Sequence, residues 1–125
     1  DFVSNRHTLK KRYDVLLEDL PLTLPYQSKD CYSSIHLYPV QIDIAKKVAK
    51  SRKQIFIKLR ENHIGVNVHY IPIHMQPYFQ NLGFKEGDFP NSEIYYQSTF
   101  TLPLFSSMSS EQQDKVVTVL SKILQ

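Results

Sequence analysis

The sequence predicts an α/β domain of the two-layer α+β kind, with a small, mainly antiparallel sheet of about three strands packed against helices. Three observations lead there. The chain has 125 residues, 42% of them hydrophobic and 22% charged, which supplies one core and not two. Apolar spacing alternates between helical and extended periods, in the order helix, strand, helix, strand, short helices, strand, helix. No repeat, low-complexity stretch or flexible linker interrupts that order, so residues 1–125 read as one domain.

The first helix rests on Leu9, Tyr13, Leu16, Leu17 and Leu20, an apolar stripe that Pro21 and Pro25 end. Aromatic and β-branched residues from Tyr32 to Ile42 predict a strand with Ile35, Leu37 and Val40 on one face. Pro39 assigns it to a sheet edge or a bulge. Ser51 and Gln54 form a Ser-x-x-Gln capping pattern, and Ile55, Phe56, Leu59 and His63 share one side of the helix behind it. Gly65 offers the turn out of that helix. Val66 to Ile71 then reads as a second strand, Met75 to Leu82 as a short helix stopped at Gly83, and Gly83 to Pro90 as a loop. Asn91 or Ser92 is expected to cap a helix holding Tyr95 and Tyr96, one ring packed and the other partly exposed. Thr99 to Leu104 is the third strand. The last helix is the clearest: Ser109 caps, Gln112 answers it, Glu111 sits in the first turn, and Val116, Val119, Leu120 and Ile123 make the buried stripe.

Composition narrows the function classes. No apolar run approaches the roughly 18 residues of a bilayer span, and no basic segment followed by an apolar stretch marks a signal peptide. The chain starts at Asp1 and is expected to be part of something longer. The lone cysteine, Cys31, cannot form an internal disulfide and fits a reducing, cytoplasmic setting. Nothing beside it marks an activated nucleophile. The net charge is +3, with basic residues at Lys10-Lys11-Arg12 and from Lys46 through Lys53. A freestanding basic module for nucleotides or nucleic acid is one reading of that charge. A solvated face is the simpler one, since no arginine-rich or aromatic-interleaved motif accompanies it; neither nucleic acid nor membrane is expected as a partner. The three glycines are scattered and form no phosphate loop, and Glu86 and Asp88 read as solvated loop carboxylates.

The chemistry concentrates in Val68-His69-Tyr70-Ile71-Pro72-Ile73-His74-Met75-Gln76-Pro77-Tyr78-Phe79. Two imidazoles, a phenol and a proline stand where an extended segment stops, which a buried strand does not need. His36, His69 and His74 lack the cysteine pair, the His-Glu-x-x-His or the strand carboxylates of a metal site, and no metal is expected. On a strand His69 would face with Ile71, and Tyr70 with Pro72. No nucleophile, base and orienting group can be assembled, so no catalytic residue is assigned.

The run Asn67 to Phe79 resembles the C-terminal part of the DegT/DnrJ/EryC1/StrS sugar aminotransferases. So do Gly83-Phe84, Gly87-Asp88-Phe89-Pro90, Ser92-Glu93, Thr101-Leu102-Pro103-Leu104, the Tyr32-to-Tyr38 segment and Arg12-Tyr13. The resemblance implies the small domain of a fold-type I, pyridoxal-phosphate enzyme that moves an amino group from L-glutamate to a UDP-linked 4-keto sugar, as a homodimer. The lysine that holds the coenzyme belongs to the large N-terminal domain. No lysine here stands in a matching motif, so this chain is expected to bind no cofactor and to be inactive alone. His69, Tyr70 and His74, with Tyr95 and His36 behind them, are the substrate-wall candidates. Neutral imidazole and phenol exchange hydrogen bonds without a fixed charge. Anchoring the small domain to the large one is the other role open to them.

Overall fold

The structure, a computed structural model, describes residues 1–46 and 48–125; Lys47, part of the basic run above, lies outside the described residues. The elements are α1 (Phe2–Leu16), β1 (Leu22–Thr23), β2 (Tyr38–Ile42), a 3-10 turn (Ile44–Lys46), α2 (Arg52–Glu61), a second 3-10 turn (Ile73–Met75), α3 (Pro77–Asn81), α4 (Pro90–Ser98), β3 (Thr99–Leu102) and α5 (Ser110–Leu124). The three strands form one antiparallel sheet in the order β1-β2-β3, layered with helices. The predicted fold class is the one observed, although one of its strands is not the predicted one.

Pairing Tyr38 with Leu102 and Val40 with Phe100 puts these four side chains on one face. They join Leu9, Tyr13 and Leu17 at α1, Ile55 and Leu59 of α2, and Val116, Leu120, Ile123 and Leu124 of α5 in a single buried cluster. Three polar side chains inside it are hydrogen-bonded, although Gln113 Oε1 is left without a partner among the described residues. The Tyr13 hydroxyl donates to the Pro103 carbonyl at 3.0 Å, the Tyr38 hydroxyl to Asp14 Oδ1 at 2.8 Å, and Gln113 Nε2 to the Leu9 carbonyl at 2.9 Å. Burial pushes both phenols well above their ordinary range; Arg12 opposes this at Tyr13, and Asp14 adds to it at Tyr38. Both therefore stay neutral donors.

Several expectations are corrected. Helix α1 begins at Phe2, far ahead of Leu9, because Asp1 caps it: its Oδ1 accepts the Val3 N–H at 3.1 Å. The strand foreseen from Tyr32 starts only at Tyr38, whose inward partner is Val40 rather than Leu37. Pro39 does not mark an edge, since β2 is the central strand. Opposite it, Thr101 exchanges both of its backbone bonds with Asn67, at 2.8 and 3.3 Å. Pro39 and Thr101 are thus a non-hydrogen-bonded pair, and the proline nitrogen points toward β1. That strand reaches only Gln41 and Ile42, so no ladder bond is lost there.

The predicted strand from Val66 to Ile71 is reduced to the single bridge Asn67 to Thr101 on the outer edge of β3, while Leu22–Thr23, between two prolines, is a strand. Both Ser-x-x-Gln sites form complete capping boxes, at Ser51 and Ser109. The chain leaves α2 through His63, at φ 60°, and not through Gly65. The His63 N–H bonds the Arg60 carbonyl and the Ile64 N–H the Leu59 carbonyl, a Schellman ending that turns His63 to solvent and off the helix face assigned to it. Gly83, at φ 100°, does end α3 by the same pattern, with Phe79 against Phe84 as its apolar contact.

Leu120 is fully buried where α5 enters the core. Leu120→Ala is expected to cost about 2–5 kcal/mol in urea denaturation. Val15→Ala, on the exposed side of α1, should change stability by less than about 0.5 kcal/mol.

Candidate functional site

The edge bridge at Asn67 sets the site. Past it the chain leaves the ladder, and the Asn67 side chain turns back to accept the Val68 N–H at 2.8 Å. His69 then faces β3, its Nδ1 2.9 Å from Thr101 Oγ1. Without a strand the expected alternation fails. His69 and Tyr70 are ring neighbours at 4.7 Å, nearly perpendicular, with His69 half-buried and Tyr70 72% exposed. The pair offers an imidazole held from behind and a free phenol in front.

His74 is placed differently. The 3-10 turn carries it inward until 6% of it is exposed, and its Nε2 lies 2.8 Å from Glu93 Oε1. Glu93, also buried, accepts the Gly87 N–H at 2.9 and 3.1 Å and the Phe89 N–H at 3.4 Å. One carboxylate thereby clasps the 3-10 turn, the Gly83–Pro90 loop and the start of α4. Burial pulls the Glu93 carboxyl upward; the His74 hydrogen bond and the two backbone N–H groups outweigh it and hold the group below its ordinary value.

The clasp also explains how α4 begins. Neither Asn91 nor Ser92 caps it. Phe89 is the N-cap without a side-chain bond, Pro90 takes the first helical position, and Glu93 serves the Phe89 N–H. Of the two tyrosines, Tyr96 packs beneath Arg52, whose guanidinium is 5.0 Å from the ring centre, and Tyr95 stays 36% exposed. His36 is exposed and lines a groove with Lys10, Pro25, Tyr26 and Ser33. The structure therefore joins His69 to Tyr70, gives His74 its own buried partner, and leaves His36 lining a groove that none of the other four candidates lines.

Sequence reasoning missed Thr101 and Glu93, the two residues that hold the histidines. The signal for Glu93 was local: a carboxylate in the first turn after Gly-Asp-Phe-Pro, where free N–H groups collect. Thr101 carried no such signal, because its partner stands 32 positions away.

Residues 1–121 match the DegT/DnrJ/EryC1/StrS aminotransferase family, and the chain belongs to it. It is 36% identical over 127 residues to the spore coat polysaccharide biosynthesis protein SpsC of Bacillus subtilis, covering 99% of this chain and 32% of that one. Among solved structures it resembles PseC of Helicobacter pylori, an aminotransferase involved in the biosynthesis of pseudoaminic acid, with TM-score 0.85 and 25% identity over 98% of this chain and 33% of that one. Spr1654 from Streptococcus pneumoniae, solved in a PLP form, gives TM-score 0.87 at 25% identity, over 98% of this chain and 31% of that one. The chain thus spans about a third of the length of the relatives it matches.

The clasp makes acid stability a direct readout. A carboxyl held below its ordinary value of 4.5 contributes stability that is full above that pH and is lost as pH falls through the folded-state value. In denaturant titrations below pH 4.5, wild type should lose stability more steeply than Glu93→Gln. Superimposable pH slopes would count against the clasp.

Proposed function

We propose that this chain is the C-terminal small domain of a pyridoxal-phosphate-dependent nucleotide-sugar aminotransferase. The observation that carries the reading is a family match over residues 1–121 by a chain about a third as long as its relatives. The whole enzyme would transfer the amino group of L-glutamate to a 4-keto-6-deoxy UDP-sugar in surface polysaccharide synthesis. Its branch would be the UDP-4-amino-4,6-dideoxy-N-acetyl-β-L-altrosamine transaminase of pseudaminic acid formation, which the likeness to PseC supports. It would act in the cytoplasm as a homodimer.

The described residues do not fit the coenzyme. A lysine that bonds covalently to pyridoxal phosphate needs a desolvated amine without a competing carboxylate. Lys10, only 16% exposed at its side chain, is ion-paired to Asp14. Lys50, also partly buried, lines a groove with Arg52 and Lys53 in which no carboxylate is available for the pyridine nitrogen. This supports a division of labour: the coenzyme sits in a large N-terminal domain, and the present residues close one wall of the cleft.

On that wall His69 and Tyr70 are the leading contacts to the sugar nucleotide. Thr101 holds one edge of the imidazole while the phenol stays free. His74 reaches substrate only by the ring edge that Glu93 does not occupy. Tyr95 and His36 are the outlying members of the set.

Incubation of the chain with pyridoxal phosphate, followed by borohydride and peptide mass spectrometry, should give scattered substoichiometric labelling. Stoichiometric labelling at one lysine would contradict the reading. The coding sequence upstream of Asp1 should continue into a several-hundred-residue α/β region carrying the coenzyme lysine; a start codon next to Asp1 would contradict it equally.

A further inference from the structure

The Gly83–Pro90 loop and the turn before α3 line a pocket that shares only His74 with the substrate wall proposed above. It has a volume of about 290 Å³ and is lined by Ile73, His74, Phe79, Phe84, Phe89 and Ser92. Three of its walls are aromatic and mutually braced, with Phe84 6.3 Å from Phe79 and 6.2 Å from Phe89, centre to centre. His74 stands 4.9 Å from Phe89. The bracing is backbone-deep. The Schellman ending of α3 fixes Phe79 and Phe84, and Glu93 holds the Gly87 and Phe89 N–H groups. The rings are nonetheless open to solvent, with Phe84 40% and Phe89 49% exposed. A preformed apolar hollow with a few polar groups, here His74 and Ser92, is the usual shape of a small-molecule site.

Of these two, His74 has a defined sense, whereas the Ser92 hydroxyl can donate or accept. An ionised carboxylate can only accept, so Glu93 requires His74 to carry its proton on Nε2. In the neutral ring this leaves Nδ1 as an acceptor that makes no hydrogen bond to the described residues and is open to solvent. His74 lines this pocket.

We infer that this pocket binds a small planar aromatic or heteroaromatic ring bearing a single N–H or O–H donor, stacked among Phe79, Phe84 and Phe89 and hydrogen-bonded to His74 Nδ1. The ring supplies what the phenylalanines match, and the donor supplies what the imidazole lacks. Glu93 is a positioning residue in this site: it sets the tautomer of His74 and touches no ligand. The inference does not depend on the transaminase reading, because every group it uses lies within residues 73–93.

The test is a titration of the chain with indole and with 1-methylindole at pH 8, followed by the ring carbon–proton signals of phenylalanine and the nitrogen shifts of His74. Indole should give saturable shifts at Phe79, Phe84 and Phe89, and His74 should report a proton on Nε2 and a bonded Nδ1. The N-methyl analogue should bind roughly 3- to 10-fold more weakly, the effect of one neutral hydrogen bond. In Glu93→Gln the carboxamide oxygen takes the Oε1 position, which also accepts the Gly87 and Phe89 N–H groups, so the His74 tautomer and the preference for indole over 1-methylindole should both be retained. Phe84→Ala should weaken both probes alike. Should the Gln variant fail to fold, the wild-type pair of probes decides alone. Equal affinity for indole and 1-methylindole, or no saturable shift at the three rings, overturns the inference. So does protection of those rings by self-association as protein concentration rises, which would give the pocket to a second copy.

Discussion

Thr101 is the residue on which the two halves of this molecule depend. It lies in β3, buried, between strand neighbours whose side chains Phe100 and Leu102 fill the core. Its backbone exchanges both bonds with Asn67, and its hydroxyl meets the imidazole of His69. One strand position therefore transmits the register of the core to half-buried His69 and exposed Tyr70. The same pair of hydrogen bonds to Asn67 is what allows Pro39 to sit in the central strand without an unmet ladder bond. Core packing and site geometry are consequences of a single pairing choice.

The second constraint is Glu93. A buried carboxylate is costly unless its lone pairs are satisfied, and here an imidazole and two backbone amides satisfy it. Those bonds convert a loop rich in turn residues into a fixed aromatic rim. The chain thus holds two kinds of histidine. His69 is oriented from behind by a hydroxyl, and His74 is locked by a carboxylate. Their chemistry differs although they stand five positions apart in one motif.

What the sequence made legible was local. Ser51 with Gln54 and Ser109 with Gln112 announced their helices because both partners of a capping box lie within four residues. The stripe of α5 was readable because one turn follows the next onto the same core. The strand expected at Val66 to Ile71 failed for the opposite reason. Its β-branched residues mimic a strand, but only Asn67 finds a partner, and Ile71 stays 48% exposed. The start of α1 was hidden because Phe2 is 74% exposed and leaves no apolar stripe to read. At the site, the motif marked the right histidines. Their partners, 19 and 32 residues downstream, are properties of the folded chain.

The dependence of His69 on β3 can be isolated with Thr101→Val, which keeps the β-branched shape and removes the hydroxyl. Denaturation should show a loss of only about 1 kcal/mol. The nitrogen and ring-proton signals of His69 should nevertheless shift and broaden, and those of Tyr70 with them, while His74 keeps its wild-type spectrum. His69 and Tyr70 signals that remain at their wild-type positions in a folded Thr101→Val protein would contradict the account.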